Sequence, residues 1–408
     1  MIGSQHIFPL RGKVQHYSWG GYHFIPGMLS LSNTGEKPFA EYWLGAHPNH
    51  PSEVEVNKGW VNLNEYISQN KLVALGATTA QHFGMLPFLL KILDVRQMLS
   101  IQVHPAKQSA EEGFYKENNA GIPLTAGHRN YKDDNHKPEL MVALSDFWLL
   151  HGFKPPQQLQ EILLSIPDFF FLGKKFQESG YKGLYETVML MDQDEVNKIL
   201  SPVIARILPL YENGELLKSS ESFWAARAVD TYCKDGNYDR GIFSIYFFNL
   251  VHLKKGEGVF QPAQLPHAYL EGQNVELMAN SDNVLRAGLT DKHIDVAELI
   301  SHVKFEETIP FILGSHASVS EEIQFQTPVP EFELYQYHLD ESSIELRSNS
   351  AEILFVLDGK IDVVGANETI SLCKGMAAFI IAETAYTLAT NHEADFIKAT
   401  VPRFNFTS

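Results

Sequence analysis

Leu99-Ser100-Ile101-Gln102-Val103-His104-Pro105 alternates apolar and polar residues as far as His104. Period-two alternation reads as a strand. Leu99, Ile101 and Val103 would be buried on one side. Ser100, Gln102 and His104 would set a hydroxyl, an amide oxygen and an imidazole in a row on the other. Pro105 stops the strand. Such a polar row either faces water or lines a site, and the surrounding segments decide which.

Immediately upstream, Leu86–Asp94 is an apolar run with Lys91 inside it and reads as a buried strand. Earlier still, Gly20-Gly21, Pro26-Gly27, Gly35 and Pro38 are closely spaced turn signals. With the strand-like Glu41–Gly45 and the turn-rich His47–Pro51, they give an all-β rhythm from Phe8 to Val56. Val61–Gln69 and Gln108–Asn118 read as short helices. The polar loop Thr125–Lys137 runs into Pro138–Leu144, an apolar strand that begins at the carboxylate of Glu139.

Between Pro155 and Cys233 the spacing changes to three and four. Gln157–Leu164, Asp194–Tyr211 and Ser219–Tyr232 read as helices, and Val196, Ile199, Leu200, Val203, Ile204 and Ile207 share one face. Asp194-Glu195 suits a helix start. Pro202 predicts a kink or a division there. The β-rhythm resumes at Ile242–His252, followed by a Gly-punctuated hairpin over Leu253–Pro262 and then Leu265–Gly272. After a loop-rich link from Ile309, Phe332–Val401 is a series of short strands punctuated by Gly359, Gly365 and Gly375, as in a second small barrel or sandwich. The reading is mainly β with a helical insertion. One β domain spans 1–154 and 236–314, a helical insertion spans 155–235, and a C-terminal β domain spans 315–408.

A chain of 408 residues is long enough for two or three cores. Hydrophobic residues at 44% and charged residues at 20% are globular values. Asp plus Glu outnumber Lys plus Arg by 49 to 32, a net charge of -17, which repels nucleic acid and anionic lipid. An anionic substrate then needs a local basic pocket. Cys233 and Cys373 offer neither a disulfide framework nor a CxxC metal motif, which fits a reducing, cytoplasmic compartment. Met-Ile-Gly-Ser-Gln-His lacks the basic and apolar regions of a signal peptide, and no apolar run reaches membrane-spanning length.

Gln102, His104, Glu139 and His267 offer two imidazoles, a carboxylate and an amide oxygen. Such a set suits Zn²⁺ or another divalent first-row ion, with a position left for water or substrate. Without a thiolate it is unlike a closed structural zinc site. Two imidazoles and a carboxylate with open positions also suit Fe(II). Taken singly, any of the 17 histidines is more often a surface or satisfied polar residue than a ligand.

Four blocks go further. They are Ser100–Pro105, Asp133–Leu140 (Asp-Asp-Asn-His-Lys-Pro-Glu-Leu), Pro266–Gly272 (Pro-His-Ala-Tyr-Leu-Glu-Gly) and the stretch Glu276–Thr290 containing Asn-Ser-Asp-Asn-Val-Leu-Arg-Ala-Gly-Leu-Thr. In order and rough separation they resemble the type I mannose-6-phosphate isomerases (phosphomannose isomerases). Tyr17-Ser18-Trp19-Gly20 and Ala40–Pro48 resemble that family too. The resemblance covers essentially the whole chain. It implies a cupin-type jelly-roll catalytic domain, a second jelly-roll-like C-terminal domain, and one Zn²⁺ per chain held by Gln102, His104, Glu139 and His267.

The implied reaction interconverts mannose 6-phosphate and fructose 6-phosphate through an enediol(ate), at the head of GDP-mannose biosynthesis. Arg286 matches the family's essential arginine. Tyr269, Glu276, Asp282 and Lys137 match residues near the sugar, as do Ser100 and Lys292, with Trp19 and Glu41 beside them. Asp291 departs from the pattern, standing where many relatives have Pro before the lysine. An enediolate oxygen carries developing negative charge, which a metal ion and Arg286 would stabilise. The proton carrier is Glu276, Lys137 or a zinc-bound water. Ser100, Lys292 and Arg286 offer the donors a phosphate needs.

The C-terminal β domain has no His-x-His pair. His338 and His392 stand apart, so it is expected to bind no metal. The expected partner is a small sugar phosphate, with neither nucleic acid nor membrane involved. A monomer is expected, with oligomers left open. The competing readings are a sugar-phosphate sensor without turnover and a cupin-type Fe(II) oxygenase.

Overall fold

The computed structural model describes residues 5–35, 37–314 and 322–403. The N-terminal part builds β1 (Ile7–Arg11), β2 (Lys13–Gln15), α1 (Phe24–Met28), β3 (Glu41–Gly45), β4 (Glu53–Val56) and β5 (Gly59–Asn62). Short helices α2 (Leu63–Gln69), α3 (Lys71–Leu75) and α4 (Ala77–His82) lead to β6 (Phe88–Val95). Then come β7 (Gln102–Val103), α5 (Lys107–Asn119), β8 (Glu139–Ala143) and β9 (Phe147–Phe153). All eight residues of β6 are buried. Its apolar run is continuous because both faces are covered, so it shows no alternation. The stretch from Leu99 to His104 pairs as a strand over Gln102–Val103 alone.

The helical block holds α6 (Pro156–Ser165), α7 (Phe170–Leu190), α8 (Gln193–Glu212), α9 (Glu221–Tyr232) and α10 (Gly241–Phe247). Pro202 does not divide α8. Asp192 caps it by accepting from the Glu195 amide at 2.8 Å, and burial of Val196, Leu200, Val203, Ile204 and Ile207 holds it as one helix through Pro202 and Pro209. Tertiary burial outweighs the hydrogen bonds the two prolines remove. The break falls in α7 instead, at Gly180, whose φ of 62° and ψ of -163° only glycine adopts without strain. Ile242–Phe247 is a further correction. It forms α10 rather than a strand, and because every residue of that helix is buried its apolar run carries no period.

After α10 come β10 (Phe248–Leu253), β11 (Gly258–Gln261), β12 (His267–Ala279), β13 (Leu285–Arg286) and α11 (Val296–His302). The turn at Lys254–Glu257 does not make a hairpin. β10 pairs with β9, while β11 pairs with β8. The ten-stranded sheet that results runs β10-β9-β12-β6-β3-β2, with β7, β8, β11 and β13 attached beside it.

The C-terminal part adds β14 (Glu322–Phe325), β15 (Glu333–Leu339), β16 (Ser343–Arg347), β17 (Glu352–Asp358) and β18 (Lys360–Val364). It ends with β19 (Thr369–Cys373), β20 (Ala377–Ile380), β21 (Ala385–Ala389) and β22 (Ala394–Thr400). A four-stranded sheet, β16-β21-β18-β19, packs on an eight-stranded one, β14-β15-β22-β17-β20-β1-β4-β5. The second sheet crosses the boundary drawn from sequence. β1 pairs with β20 from Ile7 opposite Ile380 to Leu10 opposite Ala377, so the first strand of the chain completes the C-terminal sheet. An apolar core containing Phe8, Leu90, Leu277, Phe355 and Phe379 welds that sheet to the ten-stranded one.

Candidate metal centre

One strand carries much of the site. His267–Glu271 of β12 pairs with β9, and Gly272–Ala279 pairs with β6. The strand turns between them at Gly272, where φ is 128° and a Cβ would lie 2.6 Å from the Asp146 carbonyl oxygen. Glycine is required for that approach. The turn brings residues from both halves of β12 together. Tyr269 Oη donates to Glu276 Oε1 at 2.9 Å across it.

His267 stands opposite Gln102 of β7 and His151 of β9, and Arg286 of β13 stands opposite Gln102 from the other side. Directly opposed residues share a sheet face. Arg286, Gln102, His267 and His151 therefore form one row. Glu139 enters from β8, opposite Gln261 of β11 and Met278 of β12. Its carboxylate lies between the imidazoles, with His104 Nε2 3.4 Å from Oε1 and His267 Nε2 3.2 Å from Oε2. One donor atom from each of these three buried residues falls within 4.8 Å of the others.

The hydrogen bonds fix what these atoms are. His104 Nδ1 is 2.7 Å from the Asn283 carbonyl oxygen, and His267 Nδ1 is 3.0 Å from that of Leu265. A carbonyl only accepts, so each Nδ1 carries the proton and each Nε2 turns a lone pair toward Glu139. His104 Nε2 is buried without a hydrogen-bond partner. Burial, and then the charge of Lys137, hold the His104 imidazole down at about 4, so it is neutral near pH 7. Burial alone would raise Glu139, but the adjacent Lys137 ammonium leads the opposing charges and the carboxyl is held well below its usual range. Two lone pairs and a carboxylate converging in a buried space repel one another unless a cation lies among them. The donor set thus fits a divalent metal ion, with both imidazoles oriented by backbone acceptors as metal-bound histidines are.

The support around the centre is built from loops. Asn283 Nδ2 donates to the carbonyls of Asp133 and Asn135 at 2.8 and 2.9 Å, and the Lys132 amide donates to Asn283 Oδ1 at 2.6 Å. This latch fixes the carbonyl on which His104 rests. Lys137 Nζ sits 2.9 Å from Glu139 Oε1.

A second polar cluster adjoins the first. Lys91 Nζ is 2.9 Å from Glu276 Oε2 and 3.7 Å from Glu41 Oε2, and lies 5.1 Å from the centroid of the Trp43 ring. Trp43 Nε1 donates to Glu41, and Gln261 Nε2 donates to Tyr269 Oη at 3.0 Å. Burial opposes charge on Lys91, yet Glu276, Glu41 and Glu139 outweigh it and push the amine up. Burial pushes the Glu276 carboxyl up against the pull of Lys91. Burial, then Glu276, push the Tyr269 phenol up.

Sequence reasoning did not single out Lys91, Gln261 or His151 as site residues. The signal for Lys91 was present. A lysine inside a continuous apolar run must be paired if that run is buried.

The remaining expected residues are half-buried or exposed. The Asp282 carboxylate meets His47 Nε2 and Asn49 Nδ2, each at 3.3 Å. Burial raises that carboxyl, but the His47 bond outweighs it and the net direction is down. Arg286 is half-buried and Lys292 exposed. Burial lowers both, with the charge of Arg286 adding to the effect at Lys292, while Asp291 opposes it at each. Ser100 is half-buried. Trp19 stacks on Tyr17 at 5.9 Å, and its carbonyl accepts from the Arg96 and Gln97 amides.

Fold and site together define a β-rich protein with a helical layer and a buried, mixed nitrogen and oxygen metal centre. Residues 7–156 match the family model for the phosphomannose isomerase type I catalytic domain. The chain is 35% identical to the mannose-6-phosphate isomerase of Escherichia coli (strain K12) over 389 residues, 94% of this chain and 97% of that one. It is 37% identical to that of Salmonella typhimurium (strain LT2) over 380 residues, 92% of this chain and 94% of that one. A crystal structure of the Salmonella typhimurium enzyme bound to fructose 6-phosphate and zinc is similar with a TM-score of 0.87 at 34% identity, covering 98% of this chain and 100% of that one. A zinc-bound holo structure of mannose 6-phosphate isomerase matches with a TM-score of 0.87 at 33% identity, covering 98% and 100%. The chain belongs to the type I phosphomannose isomerases.

Proposed function

We propose that this chain is a zinc-dependent aldose–ketose isomerase that interconverts mannose 6-phosphate and fructose 6-phosphate. The observation that carries the reading is the convergence of His104 Nε2 and His267 Nε2 on Glu139, in a member of this family. His104, His267 and Glu139 would hold one Zn²⁺, with Gln102, in the same sheet row, as the fourth donor. When bound, the ion supplies a Lewis acid for the substrate's carbonyl oxygen.

The chain's own residues do the rest. Arg286 adds a fixed positive charge where the enediolate oxygen develops its own. Glu276 is the proton carrier best supported, because Lys91 and Tyr269 fix both of its oxygens and burial pushes its carboxyl up. It takes the proton from C2 of the aldose and returns it to C1, while a second proton passes from O2 to O1. Lys137, 2.9 Å from Glu139, is the alternative carrier. Tyr269 holds Glu276, and Asp282, held by His47, borders the sugar. Ser100, Lys292 and Arg286 bind the phosphate, with Trp19 and Glu41 beside the ring.

The finer fold reading is a cupin-type jelly roll for the catalytic part, 1–154 with 236–314. The helical insertion is 155–235 and the second jelly-roll-like part is 315–408, completed by β1. The protein works as a monomer in the cytoplasm on a small sugar phosphate and feeds GDP-mannose synthesis. A surface of net charge -17 keeps nucleic acid and anionic membranes away. Among the described residues no helix is long and apolar enough to cross a membrane. The test is turnover of mannose 6-phosphate before chelation, after it, and after zinc return. Chelator-sensitive turnover restored by zinc is expected, and a folded protein without turnover in any metal state would reject the reading.

A further inference from the structure

We propose that Asp239 is a positioning residue that sets the Arg286–Lys292 loop for the substrate's phosphate, acting from the helical side of the molecule. The inference rests on the phosphate reading of Arg286 and Lys292 given above.

Asp239 lies between α9 and α10, remote in sequence from that loop. Its Oδ1 accepts from the Leu289 amide at 2.8 Å and the Gly241 amide at 2.7 Å, and its Oδ2 accepts from the Thr290 amide at 3.2 Å. One carboxylate thus ties the first turn of α10 to two consecutive amides of the loop. Those amides point the same way because the backbone there is unusual. Gly288 has φ 120° and Leu289 φ 51°. A β-carbon disfavours that region, so a leucine stays there only when its surroundings over-determine it. Consecutive amides in such a turn form a concave donor set that needs an anion.

The approach is close. A Cβ on Gly241 would lie 2.6 Å from the Leu289 amide nitrogen, and one on Gly288 would lie 2.5 Å from the Gly241 α-carbon. On the other side the loop is held by the segment it shares with the metal centre. The Ile101 amide donates to the Gly288 carbonyl at 3.0 Å and the Ala287 amide to the Ile101 carbonyl at 2.9 Å. The loop that follows Arg286 is therefore clamped twice in succession, at Ala287 and Gly288 by Ile101 and at Leu289 and Thr290 by Asp239. The Lys292 amide, next along, is held by Thr290 Oγ1 at 3.1 Å.

The test uses the zinc-loaded full chain carrying Asp239→Ala, Asp239→Asn or Lys292→Ala. In Asp239→Ala, KM for mannose 6-phosphate and the inhibition constant of inorganic phosphate should rise together by about tenfold, with kcat falling less than about threefold. Zinc content should stay at one per chain. Asp239→Asn keeps one accepting oxygen and should show a smaller shift of the same kind, which preserves the test if the alanine variant does not fold. A general loss of structure would instead lower zinc content and kcat together. That outcome in Asp239→Asn would overturn the proposal, as would unchanged KM and phosphate inhibition while Lys292→Ala raises both. If Lys292→Ala also leaves both unchanged, the phosphate reading fails and this inference falls with it.

Discussion

Two regions of the molecule bury charge inside β structure, and they do it differently. In the C-terminal sandwich, Glu352 of β17 meets Lys398 Nζ at 3.6 Å and the Tyr386 hydroxyl, which reaches it from the opposite sheet. Lys398 lies 4.6 Å from the centroid of the Tyr335 ring and 5.7 Å from that of Tyr337. The charges there are closed by their neighbours. Around Glu139 one oxygen also has an ion pair, to Lys137 Nζ at 2.9 Å, but two imidazole lone pairs face the carboxylate while the rings' own hydrogen bonds lie behind them. A buried cluster that satisfies itself holds sheets together, whereas one that points its acceptors inward calls for something more.

The sharpest way to break this comparison is to remove a donor from the open cluster. Gln102→Ala or His267→Ala should deplete zinc and lower turnover by about 10³-fold or more, whereas Arg286→Ala should keep zinc and lose about 10²-fold. Metal content measured beside turnover separates the two, and full zinc occupancy in the first pair would reject the ligand set. The closed cluster should answer in stability instead. Lys398→Met leaves Glu352 without its ion pair and should cost about 3 kcal/mol in denaturant unfolding, while the folded fraction turns over at an unchanged rate. A zinc stoichiometry above one per unsubstituted chain would show that the open cluster is not alone.

The smallest expected effect is with pH. Burial holds His104 at about 4 and His151 at about 3, both below the ordinary 6.5. The unfolded chain therefore binds more protons between those values and 6.5. Stability is fully present above about 6.5 and is lost as pH falls toward 4 and then 3. Metal-stripped protein should show a falling Tm across that window in calorimetry, and His151→Asn should flatten part of the slope. A Tm independent of pH there would contradict neutral burial of these rings.

Much of the candidate site was legible because the residues expected to hold a metal sit at punctuated places. Gln102 and His104 precede a proline, Glu139 opens a strand after Pro138, and His267 follows Pro266. Proline marks where a strand starts or stops, and these side chains stand at strand ends facing the interior. Lys91 was legible only as an oddity within an apolar run, since its partners come from β3 and β12. Asp239 gave no signal of its tie to the site, because the Leu289 and Thr290 amides it binds lie about fifty residues away. The fold class was readable from rhythm, whereas α10 was not. A fully buried helix erases the spacing that distinguishes it from a strand.

β1 has a consequence for how this protein is made. It sits between β20 and β4 in the eight-stranded sheet, so residues 7–10 hydrogen-bond to residues 377–380, far along the chain. Without β1, β20 would be left as an edge strand of that sheet. β4 and Tyr66 are nearby partners for β1, but its other edge stays unpaired until β20 arrives. Deleting residues 7–10 would therefore damage the sheet built mostly from residues 322–400 more than the ten-stranded sheet that follows β1 in the chain.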